Sequence, residues 1–215
     1  RDSAASVLIY GFDFSANVSA PERAKSLRQR FGISKEAFVV GHVGRFDRVK
    51  NHDFLLGSFA ICAEKLGDCD LVLVGTGPLR SQIERQAADF GLVDRVHFAG
   101  ATDDVAGYMA MFDIFVLPSF SEGLGIVCVE AQAAGTRALV SDTTPAEAAV
   151  VSGGVETLPL AAGEHLWAAA MERLLKLTPP DSTEWLRQVE QSRFGIGRCI
   201  EELNGIYLDE LERAA

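Results

Sequence analysis

The sequence predicts an α/β fold, a doubly wound parallel sheet covered by helices on both faces. Three observations lead there. Apolar runs of strand length recur along the chain, continuous rather than alternating, as in strands buried on both sides. Segments of helical length and pattern separate them. Glycines, acids and cations gather just after the strands and not before them, and in open α/β sheets the crevice beyond the carboxyl ends of the strands is where ligands bind.

The elements follow in order. "SVLIYG" at 6–11 is the first expected strand and "AFVVGHVG" at 37–44 the second, followed by a helix over 51–66. "CDLVLVGTG" at 69–77 leads to a helix over 78–90, with Pro78 in its first turn, where a missing N–H costs nothing. "RVHFAG" at 95–100 precedes a helix opening at Asp103 or Asp104, acids suited to a helix N-terminus. "FDIFVLPS" at 112–119 leads to a helix over 125–134, "RALVSD" at 137–142 runs toward Pro145, and "VETLPL" at 155–160 precedes a helix over 163–175. From Pro179 the pattern changes to two helices separated by "FGIG", a C-terminal helical extension over about 180–215. The loops at 41–52, 75–80, 99–104, 118–125 and 141–147 should all lie on one edge of the sheet.

The 215 residues suffice for one large domain. Twenty basic against thirty acidic residues give a net charge of −10, which argues against a nucleic-acid partner but leaves room for a local phosphate site of two or three cations. No apolar run is long enough to span a bilayer. The chain begins with Arg1 and no charged-then-apolar leader follows, so it is expected to be cytoplasmic or a piece of something larger. Cys62, Cys69, Cys128 and Cys199 have neither metal-ligand nor redox spacing and are expected as free thiols; the four histidines form no metal motif.

Three stretches could carry chemistry. "LVLVGTGPLR" begins like a dinucleotide fingerprint, but Arg80 stands where the third glycine is needed, so a plain strand-to-helix turn is the simpler reading. "GRFDRVK" places Arg45, Arg48 and Lys50 just past a strand end, where a guanidinium fork and an ammonium suit phosphate oxygens, although loop cations are commonly just solvated. "LPSFSEGLGIVCVEAQAAG" carries Glu122, then Gly123, Leu124 and Gly125 at a helix start, then Glu130 within the helix. Amides at a helix N-terminus suit an anion. A carboxylate there would repel it, so Glu122 should face neutral hydroxyls. Glu130 lies five residues past Gly125, ~7–8 Å along the helix at 1.5 Å per residue. One elongated ligand could thread past all three features: ribose at Glu130, phosphates at the amides and cations, a sugar at Glu122. Taken singly, each acid could be merely solvated.

"VGRFDRVKNH", "LVLVGTGPLRSQIERQAADFGLVDRVHFAG" and "VLPSFSEGLGIVCVEAQAAG" together resemble the C-terminal domain of retaining glycosyltransferases of the GT-B fold, family 4, over about residues 7–175. "NH" after Lys50 and "EAQAAG" look most like the branch that assembles bacterial exopolysaccharides. The resemblance implies a Rossmann-like sheet, the C-terminal half of a GT-B fold, with residues 1–215 forming one donor-binding domain and the N-terminal acceptor domain absent. Arg45, Lys50, Gly123, Leu124 and Gly125 would bind the donor diphosphate, Glu130 the ribose, and Glu122 the donor sugar at the reacting carbon. Ala101 and Thr102 would contact the base, mostly through backbone. No metal and no cofactor are called for. The implied partners are a nucleoside diphosphate sugar, by family frequency a UDP-sugar, and a glycan or lipid-linked acceptor; membrane contact would fall to the absent domain. A nucleotide-sugar epimerase of the same fold and a non-catalytic nucleotide-binding module stay open as alternatives. Arg137 departs from the family pattern, standing where a proline is common.

Overall fold

The computed structural model describes residues 8 and 10–214. Six parallel strands form one sheet: β1 (Phe38–Val43), β2 (Cys69–Val74), β3 (Val96–Gly100), β4 (Ile114–Leu117), β5 (Arg137–Ser141) and β6 (Val155–Leu158). Their spatial order is β3-β2-β1-β4-β5-β6. The order reverses between β1 and β4, whose pairing is short, Val40 with Ile114 and Gly41 with Phe115. A doubly wound sheet opens its crevice at such a reversal.

Because successive side chains point to opposite faces, each strand feeds two cores. Val39, Val72, Val74, Phe115, Leu117, Ala138 and Val140 face α1 (Ala20–Phe31), α4 (Val105–Met111), α5 (Ile126–Ala133) and α7 (Ser182–Gln191). Val40, Leu71, Leu73, Ile114, Val116 and Leu139 face α2 (His52–Leu66), α3 (Arg80–Asp89) and α6 (Glu164–Leu175). Every central strand is thus buried on both sides, which is why its apolar run is unbroken. α8 (Ile196–Ala214) continues from α7 and completes the helical extension.

Three local outcomes differ from the sequence reading or fall outside it. The strand expected over 6–11 lies largely outside the described residues; Phe12 makes an isolated parallel bridge to Gly195. α1 was not foreseen. Its buried positions are the small Ala20 and Ala24, so it carries little apolar signal, but Pro21 in its first turn and left-handed Gly32 at its end (φ 68°) are ordinary helix punctuation. α3 starts at Arg80, two residues later than expected, with Pro78 in the turn ahead of it. The delay has a cause: the Leu79 amide donates to the Phe46 carbonyl (3.0 Å), which holds the chain to the neighbouring loop.

Candidate functional site

The loops after β1 and β4 flank the crevice, and an ion pair joins them. Lys50 Nζ donates to Glu122 Oε1 at 2.6 Å, across 72 residues of sequence. Both side chains are mostly shielded, 18% and 9% exposed. Local structure dictates the meeting. Asp47 accepts from the Val49 and Lys50 amides and so caps the 3₁₀ turn Arg48–Lys50. Asn51, the non-glycine residue with positive φ (54°) among the described residues, turns the chain from there into α2. The Phe120 amide donates to the Val49 carbonyl (2.8 Å) and ties the second loop to the first. The sequence reading put Lys50 on the phosphates and Glu122 on the sugar, as separate stations; without a ligand they neutralise each other. Arg45 behaves differently: it is 73% exposed and only 4.0 Å from Asp47, so it keeps the freedom to swing.

Gly123, Leu124 and Gly125 lead into α5. Leu124 packs on the apolar core, which anchors the loop, while nothing crowds Gly123. Gly125 is left-handed (φ 69°), and a Cβ there would lie 3.1 Å from the Thr144 methyl, so glycine is required on two counts. The first amides of α5 have no intrahelical acceptors and carry the positive end of the helix dipole. Glu130 sits further along the same helix. Burial alone pushes its carboxyl up from 4.5 to about 7, and no cation pairs with it among the described residues. An unpaired, desolvated carboxylate in a cleft is a frequent mark of a binding site.

Ala101 and Thr102 line a separate cleft of about 500 Å³ at the ends of β1, β2 and β3, together with Arg45, Thr76 and Val105. Two polar side chains of this loop are engaged locally: the Thr102 hydroxyl accepts from the Asp104 amide (3.0 Å), and Asp104 caps α4 at Gly107 (3.0 Å) and pairs with Arg23 (2.9 Å). Of the predicted diphosphate ligands Arg45 reaches this cleft, whereas Lys50 meets Glu122. The "GTG" turn is explained by packing. A Cβ on Gly75 would fall 1.9 Å from the Gly44 carbonyl oxygen, and one on Gly77 2.4 Å from that of Phe46. These glycines let the second loop lie against the first and support Arg45 from below.

Sequence reasoning missed a set of buried polar residues at the same edge. His42 is fully buried; its Nδ1 donates to the Val116 carbonyl (2.9 Å), Nε2 has no partner, and burial pushes its pKa down to about 4. His52, edge-on to His42, has neither ring nitrogen bonded, and burial pushes it down to about 3. Both rings are therefore neutral at physiological pH. The Ser119 carbonyl accepts from Ser141 (2.7 Å) and Thr143 (2.9 Å), joining the β4 and β5 loops, while the hydroxyls of Ser119 and Thr144 are buried without partners. Gln132 on α5 donates to the Cys128 and Ala148 carbonyls and accepts from the Val150 and Val151 amides. The visible signals were a histidine at a strand end and another at a helix start, and one glutamine in an otherwise apolar helix. No cluster of three metal-ligating side chains occurs among the described residues.

Comparison with known proteins agrees with this geometry. The family of glycosyl transferases group 1 matches residues 24–188. The chain is 38% identical over 160 residues to the putative glycosyltransferase EpsF of Bacillus subtilis, covering 74% of this chain and 41% of that protein. It is 31% identical over 179 residues to a D-inositol 3-phosphate glycosyltransferase of Corynebacterium urealyticum, 79% of this chain and 42% of the relative. The chain therefore spans less than half the length of these relatives. Among solved structures, Anabaena HepE in complex with UDP-glucose superposes with a TM-score of 0.81 at 24% identity, over 97% of this chain and 58% of that one. WaaG, a glycosyltransferase involved in lipopolysaccharide biosynthesis, superposes with a TM-score of 0.70 at 23% identity, over 89% and 52%. At these identities the structural likeness speaks for the fold, that of GT-B glycosyltransferases.

Proposed function

The chain belongs to the group 1 glycosyl transferases, and on that premise we propose that it is the donor-binding domain of a retaining enzyme that transfers a sugar from a nucleoside diphosphate to a glycan or lipid-linked acceptor in bacterial exopolysaccharide or cell-surface polysaccharide synthesis. The observation that carries the reading is the Lys50–Glu122 pair at the strand-order reversal, beside the amide-lined start of α5. The donor is a UDP-sugar, a choice supported by the UDP and UDP-glucose named in the HepE complexes.

In this reading the diphosphate draws Lys50 away from Glu122, Arg45 closes from the exposed side, and the amides of 123–125 take the remaining phosphate oxygens. Glu130 accepts from the ribose hydroxyls, and the base lies along the backbone at Ala101 and Thr102. Glu122, released from Lys50, accepts from hydroxyls of the donor sugar. The bond between the anomeric carbon and phosphate oxygen breaks with its electron pair leaving on the diphosphate, whose charge the fixed cations and amides stabilise. The acceptor hydroxyl attacks from the same face through an oxocarbenium-like state, and its proton passes to the departing phosphate oxygen. No metal and no cofactor enter the scheme.

Relatives of which the matched segment covers only 41–42% support a parent protein with a second, acceptor-binding domain. No helix of the described residues is long and apolar enough to cross a membrane. In the proposed reading the parent works in the cytoplasm and touches the membrane through that second domain. Alone, this chain should bind donor nucleotide without transferring sugar. A thermal-shift screen of UDP, GDP, ADP and NAD tests the reading, because a ligand specific to the folded state raises its stability by mass action. UDP should raise the melting temperature most. A shift by NAD alone, or multiple turnover to a glycan acceptor by this chain, would overturn it.

A further inference from the structure

A second cavity, about 490 Å³, opens beside the Arg48–Lys50 turn, and neither Lys50 nor Glu122 lines it. That volume is within the ~300–1,000 Å³ of small-ligand sites. Its walls come from three places: the turn itself and the start of α2, the first turn of α3, and Phe120 of the β4 loop. Four features define its chemistry. Phe120 leaves an aromatic ring 58% exposed. Arg48, Asn51, Asp53 and Gln82 supply planar polar groups, none of them bonded through its side chain to another described residue. His52, 3% exposed, forms part of the wall with both ring nitrogens buried beneath its surface. Asp47 also lines it, so two carboxylates face one guanidinium.

These features exclude most ligand classes. Net negative charge disfavours an anion, and no cluster of three side chains able to hold a metal ion occurs among the described residues. Planar amides, carboxylates and a guanidinium bond vicinal hydroxyls in pairs, each hydroxyl being both donor and acceptor, and an exposed aromatic ring takes the apolar C–H face of a pyranose. The position matters as well. Phe120 is two residues from Glu122, and Asn51 follows Lys50 directly, so one thin wall separates this cavity from the donor pair.

We propose that this cavity is a saccharide subsite, which holds one or two rings of a neutral glycan on the donor-binding chain itself. It rests on the glycosyltransferase reading and deepens it: acceptor or growing chain is gripped from the donor side as well as from the other half of the enzyme.

The test uses maltose, cellobiose, lactose and N,N′-diacetylchitobiose as probes, with glucose 6-phosphate as the anionic control, in ligand-observed NMR at millimolar concentration. At least one disaccharide should receive saturation transfer from the protein, equally with and without saturating UDP, and glucose 6-phosphate should receive less. Gln82→Ala and Phe120→Ala, both at exposed positions, should each weaken that disaccharide at least fivefold and leave the UDP dissociation constant within twofold. Circular dichroism of both variants confirms that they are folded. Absence of transfer to all four disaccharides would overturn the subsite, as would binding that survives both substitutions. Displacement of the disaccharide by UDP would place it in the donor crevice and also overturn it. Failure of UDP to bind would instead strike the donor reading, so the two failures are distinguishable.

Discussion

The two edges of the sheet treat polar groups in opposite ways. At the amino-terminal edge they are paired. Asp113, its side chain 37% exposed, accepts from the Val39 amide (2.7 Å) and from Arg28 (3.0 Å), and Arg28 also donates to the Ser34 and Ala37 carbonyls. Thr136 Oγ1, 3% exposed, donates to the Met109 carbonyl at 2.6 Å. At the carboxyl-terminal edge His42 Nε2, both nitrogens of His52, and the hydroxyls of Ser119 and Thr144 are buried and unpaired, and Glu130 is half-buried without a cation. A buried polar group without a partner destabilises by about 1–3 kcal/mol. One edge is built for stability; the other holds unmet hydrogen-bonding capacity at the strand-order reversal, the place where a ligand can meet it.

Substitutions can break or sharpen that contrast. The largest effect is expected at Gln132, which ties α5 to the 148–151 segment and so keeps the open edge in shape. Gln132→Ala removes four hydrogen bonds of a fully buried side chain, strands the Val150 and Val151 amides and leaves a void, which should destabilise by roughly 3–5 kcal/mol in urea unfolding. A loss below 1 kcal/mol would mean that the loop is held by other means. Glu130 comes next. Its folded pKa is raised, so its contribution to stability is full below about 4.5 and is lost as pH rises through about 7. At about 1.4 kcal/mol per unit the upper bound is on the order of 3 kcal/mol. Glu130→Gln should therefore stabilise by about 1–3 kcal/mol at pH 8 and by almost nothing at pH 4, and equal effects at both pH values would show that the carboxyl is not strained by burial. The smallest pair compares the edges directly. Thr136→Val should lower stability by ~1 kcal/mol, one lost hydrogen bond, while Thr144→Val should be neutral or slightly stabilising. The reverse order, read from unfolding midpoints, would break the comparison.

Much of this was legible in the sequence, and the boundary has physical causes. Strands buried on both faces leave unbroken apolar runs, so "FVVGHV" and "DLVLV" announce both the strands and the parallel sheet. Asp104, one of the two acids expected at the start of α4, and Gly125 at the start of α5 were readable because one residue carries much of the signal. α1 was not, since its inner face is alanine, which reads as surface and core alike. The Lys50–Glu122 contact could not be read from spacing either: it depends on β4 pairing beside β1 and on the Val49–Phe120 backbone bond, both set by strand order. The two glycines of "GTG" were expected as a plain strand-to-helix turn, and what requires glycine there is the backbone of the neighbouring loop, invisible in the sequence. The sequence did not mark His42 and His52 as buried polar groups, because what distinguishes them is burial with unpaired ring nitrogens, a property of three-dimensional packing.

The central claim is that one nucleotide runs from Glu130 past the α5 amides to Lys50. Calorimetric titration of uridine and UDP into the wild-type chain, Glu130→Ala and Lys50→Ala tests it most directly. Glu130→Ala removes a charge-assisted hydrogen bond to ribose, roughly 1.5–3 kcal/mol, and should weaken uridine and UDP alike by about 10- to 150-fold. Lys50→Ala removes a phosphate partner and leaves Glu122 unneutralised beside it, so it should weaken UDP while sparing uridine, and the loss should shrink as salt rises. If Glu130→Ala leaves uridine binding intact, or Lys50→Ala weakens uridine as much as UDP, the nucleotide does not lie along this path.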